Sequence, residues 1–441
     1  MNHELRIVAA FRRELSDWRL WLARSVVIAV AAAAGLTVVA FTWITERALE
    51  LFFTVRASWW WMPLIATPLI TGAIVWLTRR FAPGAAGSGI PQVMAALDPS
   101  VDGTSRSLYV SLRLTAAKML FTASGLLGGL SLGREGPSVQ IAAGVMHAAK
   151  RWLPQRSAVT EHGLLVAGGA AGIAAAFNTP LAGVMFAIEE LSRAPEQRNS
   201  GLLVAGIVLA GLVAVSILGN GTYFGVIQVP ALNLSLLGPG LLVALTAGVT
   251  GGLFSRLLIA SLSGKSADGA SRWRARYPVR FAMACGLAVA IIGVATLGAT
   301  FGSGYGYTRE MLGGGETTPG LHFVLKFVAT WLTAWSGVPG GIFAPALTIG
   351  ASLGNDIALL TSYPHAPALI ALGMAGFLAA ATQAPLTAFI IVMEMVDGHA
   401  MVLSLMACAL VASGISRLIS RPLYPTLARL QLERLPPPGP R

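Results

Sequence analysis

Apolar stretches recur along this chain, and their lengths fall into two classes. Ser25 to Thr45, Gly201 to Gly219, Val226 to Ser255 and Phe281 to Tyr307 contain no charged residue. Each is long enough to cross a hydrocarbon layer about 30 Å thick at ~1.5 Å per helical residue. Val139 to Ala149, Leu164 to Phe177, Leu181 to Ile188 and Leu386 to Met393 are shorter and are interrupted by Gly, Pro or charge. Unpaired backbone is not tolerated in lipid, so these pieces predict broken or partly inserted helices packed against protein. The pattern as a whole predicts an all-α polytopic membrane protein with many helices of unequal length.

Four of the apolar pieces begin in the same way: Gly87-Ser88-Gly89-Ile90-Pro91, Gly133-Arg134-Glu135-Gly136-Pro137, Asn178-Thr179-Pro180 and Gly340-Gly341-Ile342-Phe343-Ala344-Pro345. Proline suits the first turn of a helix, where its missing N–H costs nothing, and glycine lets backbone approach a ligand closely. Each start therefore offers unpaired amides and the positive end of a helix dipole. Several such ends pointed at one another inside a membrane make a site for a dehydrated anion.

Composition agrees with the membrane reading: 55% of residues are hydrophobic, 11% are charged and the mean hydropathy is +0.70. The net charge of +12 does not indicate a nucleic-acid partner, because the basic residues cluster beside apolar spans. The groups Arg6, Arg12, Arg13, Arg19 and Arg24, then Arg256, Lys265, Arg272, Arg274, Arg276 and Arg280, then Arg417, Arg421, Arg429, Arg434 and Arg441 are all expected on the cytoplasmic side. Both termini are then expected inside, with the protein in the inner membrane. The first apolar run follows mixed charge and lacks a cleavage site of small residues, so it is expected to remain as a span.

An internal repeat divides the chain. Ala174-Ala175-Ala176-Phe177-Asn178-Thr179-Pro180-Leu181, followed by Glu189, recurs as Ala379-Ala380-Ala381-Thr382-Gln383-Ala384-Pro385-Leu386, followed by Glu394. Pro137 and Pro345 stand at nearly the same offset, which predicts two homologous halves around a midplane site. The expected organisation is a cytoplasmic segment over residues 1–24, membrane repeats over 25–220 and 235–425, and a short cytoplasmic tail over 426–441. No C-terminal regulatory domain is expected.

Ionisable groups within spans cost roughly 2.5 to 3.5 kcal/mol each on insertion scales, so each is a functional candidate. They are Arg113, Lys118, Arg134, Glu135, Glu189, Glu190, Lys326 and Glu394. Glu135 stands at a helix start, where its carboxylate competes with any anion for the same amides, and protonation releases it. The alternative is a carboxylate that caps its own helix or pairs with Arg134. Ser88 offers a hydroxyl to an anion or, alternatively, caps its helix. Neutral donors of this kind hold a halide without trapping it. Glu189 has a counterpart in Glu394, which suggests an architectural role; the counterpart of Glu190 is Met395, which leaves Glu190 for a task of one half, such as receiving protons, or for snorkelling to the interface. Adjacent helical residues point about 100° apart, so both acids cannot face one path. The six histidines show no metal-ligand spacing and no phosphate-binding loop occurs, so neither a metal nor an organic cofactor is expected, and an enzyme is not indicated.

The three ordered segments around Ser88, Glu135 and Phe343, with Arg421-Pro422-Leu423-Tyr424 near the end, resemble the signature segments of the CLC chloride channel and transporter family over nearly the whole chain. The resemblance implies a homodimer with one anion pathway per subunit and two inverted halves of tilted, broken helices. It implies hydroxyl ligands from Ser88 and Tyr424, amide donors from Ile342 and Phe343, an external gating acid at Glu135 and an internal proton acid at Glu190. Arg134, Gly136, Gly341 and Lys118 are implied to support the site. An acid at position 190 favours proton-coupled chloride antiport, with a passive voltage- or pH-gated channel as the alternative. The intact Gly-Ser-Gly-Ile-Pro differs from the fluoride-exporting branch. Gln92 and Met94 stand where carboxylates are common in the family, and this bears on the inner proton path.

Overall fold

The computed structural model describes residues 18–154, 157, 159–192, 200–219, 221, 223–224, 234–264, 268–315 and 320–433. Arg6, Arg12, Arg13, Lys265, Arg434, Arg441 and the 226–233 part of the third apolar run lie outside the described residues. The chain is helical throughout what is described. In order it forms α1 (Trp18–Ser58), α2 (Met62–Phe81), α3 (Ile90–Leu97), α4 (Leu112–Leu127), α5 (Glu135–Ala148), α6 (Glu161–Phe177), α7 (Pro180–Phe186) and α8 (Ser200–Leu218). There follow α9 (Leu237–Ser263), α10 (Gly269–Arg276), α11 (Pro278–Ala295), α12 (Tyr305–Leu312), α13 (Leu321–Ser336) and α14 (Phe343–Leu360). The series ends with α15 (Ala366–Thr382), α16 (Pro385–Met395), α17 (Val402–Ile419) and α18 (Leu423–Leu432).

Among the described residues, seven helices are long and apolar enough to cross a membrane, and α6, α15 and α16 are apolar but shorter. Large side chains such as Trp43, Leu120, Leu212 and Ile291 are exposed on the outside, which suits lipid and not water. The interior is built from two tight pairs. α5 packs on α6 and α14 on α15, with nearly every side chain of these four helices buried. Small residues let the backbones touch: a β-carbon at Gly168 would lie 2.7 Å from the Ala143 Cα, and one at Gly354 would lie 2.8 Å from the Ile370 Cα.

The sequence repeat is a repeat of conformation. α6 ends on Asn178 at φ 58° and α15 on Gln383 at φ 63°, both left-handed, and a proline-led helix follows each. The acids that follow are exchanged between the halves. Glu189 accepts hydrogen bonds from the amides of Leu386 and Thr387 at the start of α16, at 3.0 and 2.7 Å. Glu394 accepts from those of Leu181 and Ala182 at the start of α7, at 3.2 and 2.8 Å. Each helix start thus gains a carboxylate from the opposite end of the repeat, which satisfies orphan amides and complements the dipole. The lysines repeat too. Lys118 bonds the carbonyls of Ala85 and Gly87, and Lys326 those of Thr300 and Gly302.

Several expectations change in detail. α1 begins at Trp18, within the segment assigned to the cytoplasm; its 41 residues exceed a membrane thickness, so it tilts or projects. The run from Phe281 to Tyr307 is not one helix. α11 stops at Ala295, Leu297 turns left-handed, and Gly298, Gly302 and Gly304 take positive φ before α12 begins. Freedom from charge marks burial in lipid or protein, whereas glycine decides whether the helix continues. α7 gives way to a π-helical turn over Ala187–Ser192, so the spacing of Glu189 and Glu190 departs from the 100° of an α-helix. Finally, α18 runs across the expected boundary at 425 to Leu432 and packs on α3.

Removing either exchanged acid leaves two helix-start amides without their carboxylate. Glu189→Ala and Glu394→Ala are each expected to cost about 1–3 kcal/mol, with Gln substitutions costing less. The thermal unfolding midpoint of detergent-purified protein should fall by several degrees; an unchanged midpoint would contradict the architectural assignment.

Candidate functional site

Three of the four glycine- and proline-marked starts meet in the centre of the molecule. The N–H of Gly133 bonds the carbonyl of Gly341 and the N–H of Gly341 bonds that of Gly133, both at 2.8 Å, which forms an isolated antiparallel bridge. Gly340 donates to the carbonyl of Gly87 at 3.1 Å. α3, α5 and α14 therefore begin from one hydrogen-bonded cluster of loops. Only glycine fits its closest points: a β-carbon on Gly341 would lie 2.9 Å from the Gly136 nitrogen, and one on Gly136 would collide with the Ser88 hydroxyl. Lys118, fully buried, does not line the site; it fixes the Gly87 carbonyl and with it the turn that carries Ser88. Gln92 bonds the Gly89 amide and the Ala86 carbonyl and so closes the start of α3, while Met94 is partly buried against the core.

Ser88, Ile342 and Tyr424 line one cavity of about 140 Å³. The hydroxyls of Ser88 and Tyr424 interact, yet neither completes a hydrogen bond of good geometry, and both are buried. The ring of Phe343 stacks nearly parallel on that of Tyr424, with centroids 5.9 Å apart, and fixes the phenol. Ile342 precedes α14 and Phe343 opens it, so their amides are among those the helix itself cannot pair. The cavity thus gathers two hydroxyls and a helix start with no acid among its lining residues, which is the donor set that holds a small anion.

Glu135 is the first residue of α5 and fully buried. Its Oε1 accepts a hydrogen bond from the Tyr305 hydroxyl at 2.7 Å. Its own amide and that of Ala344 lie against the carboxylate, although Oε2 completes no hydrogen bond of good geometry. The side chain folds back over Gly133, where a β-carbon would strike it. It lies over the bridge, between the starts of α5 and α14. Arg134 does not take Glu135 as its hydrogen-bond partner: it forms an ion pair with Glu46 at 2.9 Å and bonds the Tyr223 hydroxyl. Arg134, Glu46, Tyr223 and Tyr305 line a second, wider cavity of about 850 Å³. The Tyr223 and Tyr305 rings pack with centroids 4.4 Å apart.

Glu190 is buried on the π-helical turn, within electrostatic reach of Tyr424. Met395, its counterpart in the repeat, closes an ordinary α-helix. Tyr305, Tyr223 and Glu46 are the site residues that motif reading misses. Tyr305 sits in the glycine-rich break that the charge-free run conceals, and a tyrosine between glycines after a helix stop is the one signal that could have drawn attention to it. Tyr223 and Glu46 meet the site only through tertiary packing.

The profile of the family described as "Voltage gated chloride channel" matches residues 69–417. The chain is 32% identical over 438 residues to the H(+)/Cl(-) exchange transporter ClcA of Vibrio cholerae serotype O1, covering 90% of this chain and 89% of that protein. It is 31% identical to the protein of the same name from Cronobacter sakazakii over 430 residues, covering 91% and 89%. The fold is similar to that of a slow cyanobacterial Cl⁻/H⁺ antiporter, with TM-score 0.80 and 25% identity over 93% of this chain and 98% of that one. A CLC-type fluoride/proton antiporter shares the fold at TM-score 0.75 and 23% identity over 93% and 99%.

A methyl at position 136 forces the Ser88 hydroxyl to rotate away from its place. Gly136→Ala is therefore expected to weaken halide binding roughly tenfold, the scale of one lost hydrogen bond to a charged ligand, in calorimetric titration of the purified protein. Unchanged affinity would place the halide away from Ser88.

Proposed function

The chain belongs to the voltage gated chloride channel family, and from that premise we propose that it is a chloride/proton antiporter, with Glu135 both competing with the halide and carrying the proton. The similarity to proteins named as exchangers supports antiport over passive conduction. The observation that carries the residue assignment is the place of the Glu135 carboxylate, over the bridge that joins two helix starts and bonded to Tyr305 in the wall of the wider cavity.

An ionised carboxylate and a halide are rivals for such a position. Their charges repel strongly at contact distance in a poorly polarisable interior, and both seek the same amides. Protonation removes the rivalry, so the anion advances as the acid takes up a proton. Tyr305 holds the carboxylate from the side of the wider cavity, where water can supply or take the proton. Ser88 and Tyr424 offer hydroxyls to the central anion, Ile342 and Phe343 offer amides, and Gly136 and Gly341 leave the room for their approach. Neutral donors bind moderately and permit release. Glu190 receives the proton from the opposite face, and its π-helical turn makes that task specific to one half.

The repeats over 25–220 and 235–425 are read as inverted halves, and the exchange of Glu189 and Glu394 between them supports a two-fold relation. The basic residues around α10 and at the ends of α17 and α18 favour a cytoplasmic position for that face and for both termini, in an inner membrane. The assembly proposed is a homodimer with one pathway per subunit.

In liposomes, an imposed chloride gradient should drive protons in the direction opposite to chloride. Glu135→Gln and Glu190→Ala are each expected to reduce proton movement at least tenfold while chloride flux persists. Chloride flux without proton movement in the unaltered protein would replace this reading with a passive channel.

A further inference from the structure

The glycine-serine-glycine turn that carries Ser88 has a second copy. Gly302-Ser303-Gly304-Tyr305 repeats Gly87-Ser88-Gly89-Ile90, and the conformation repeats with it: φ is 64° and 89° at Gly302 and Gly304, against 74° and 108° at Gly87 and Gly89. The second glycine precedes a helix in both, α12 in one copy and α3 in the other. A lysine holds each turn at matching places, Lys118 on the carbonyls of Ala85 and Gly87 and Lys326 on those of Thr300 and Gly302. One member differs. A helical turn before its lysine, α4 has Leu114 and α13 has His322.

His322 is 2% exposed and is fixed on three sides. Its Nε2 donates to the carbonyl of Ala299 at 3.2 Å, its Nδ1 pairs with the Ser352 hydroxyl at 2.7 Å, and its ring stacks on that of Tyr307 with centroids 3.8 Å apart. Residues four apart share a helix face, so His322 and Lys326 reach the same loop. Thr348 of α14 adds a hydroxyl to the carbonyl of Ser303 at 3.2 Å. The carbonyls of Ala299, Thr300, Gly302 and Ser303 are thereby all held by side chains, and the segment they fix ends at Tyr305, whose hydroxyl bonds the Glu135 carboxylate. A glycine-rich loop has no helix to stiffen it, so side-chain anchors decide where its last residue stands.

We propose that His322 is a positioning residue for the acid at 135: by holding the Ala299 carbonyl it keeps the Tyr305 hydroxyl on the carboxylate, and so keeps the carboxylate in the place it contests with the halide. Release of the ring loosens Tyr305, and the acid loses a donor. Its rival being weaker, the anion binds more tightly. Simple loss of structure acts in the opposite sense, because a disordered site binds worse.

This inference rests on the reading of Glu135 as the rival of the halide, and two measurements keep their failures apart. Chloride binding to the purified full-length protein is titrated calorimetrically at one pH for the unaltered chain, His322→Phe, Tyr305→Phe, the double variant and Glu135→Gln. Phenylalanine at 322 keeps the stack on Tyr307 and removes both hydrogen bonds. Tyr305→Phe is expected to tighten chloride binding roughly tenfold, the scale of one hydrogen bond to a charged group, and His322→Phe roughly threefold in the same direction. In the double variant the histidine change should add nothing, since residues that act through one contact are not additive. His322→Gln keeps an amide donor and should return most of the difference. Additive effects, weaker binding in His322→Phe, or no recovery in His322→Gln would each overturn the proposal. If His322→Phe does not fold, Ser352→Ala, which frees one side of the ring, takes its place with the same expected sign. Crystals of the variant give the second measurement: the hydrogen bond from Tyr305 to Glu135 should be broken, and its survival would overturn the proposal whatever the halide does. Unchanged chloride affinity in Glu135→Gln would refute the rivalry and leave that structural test intact.

Discussion

Two hydrogen bonds between Gly133 and Gly341 hold the centre of this protein together. They bind the starts of α5 and α14 face to face in a region where lipid supplies no partner for a stray amide. A helix start in that setting needs a carboxylate, a hydroxyl or a mobile anion. α7 and α16 receive carboxylates, from Glu394 and Glu189, and are thereby closed. α5 and α14 are left to share a single carboxylate, that of Glu135, which also answers to Tyr305. The difference between the closed pair and the shared pair separates scaffold from site.

The same contrast explains what the two halves do. Residues repeated in kind, Lys118 with Lys326 and Glu189 with Glu394, fix loops and cap helices. Residues that break the repeat are those proposed to carry the chemistry. Where one helix start has Glu135 the other has Phe343, so one half supplies a buried acid and the other an aromatic ring that stacks on Tyr424. Where one half has Glu190 on a π-helical turn the other has Met395 on a regular helix. In the proposed antiport, symmetry frames the pathway and its local failures give that pathway direction.

Much of this was legible in the order of residues. Glycine and proline marked the helix starts, because their backbone requirements are local and few other residues meet them. The Ala-Ala-Ala repeat with its trailing acid pointed to two halves and set Glu189 aside for architecture, and Glu189 is found bonded to the amides of Leu386 and Thr387. Other features depended on partners distant in the chain. The break after Ala295 lay inside a charge-free run, and the π-helical turn at Glu190 has no composition of its own. Arg134 stands next to Glu135 in the chain but is taken by Glu46, nearly ninety residues away, and Tyr305 reaches Glu135 from 170 residues downstream. Such pairings are decided by packing, so no local pattern announces them.

Rivalry between the acid and the anion is the central claim, and crystals soaked in bromide examine it most directly. Anomalous maps of the unaltered protein and of Glu135→Gln locate the ion independently of the side chain. The account predicts bromide in the glutamine protein at the position over the Gly133–Gly341 bridge that the carboxylate occupies otherwise. Identical bromide positions in both proteins, with the residue 135 side chain remote from each of them, would contradict it.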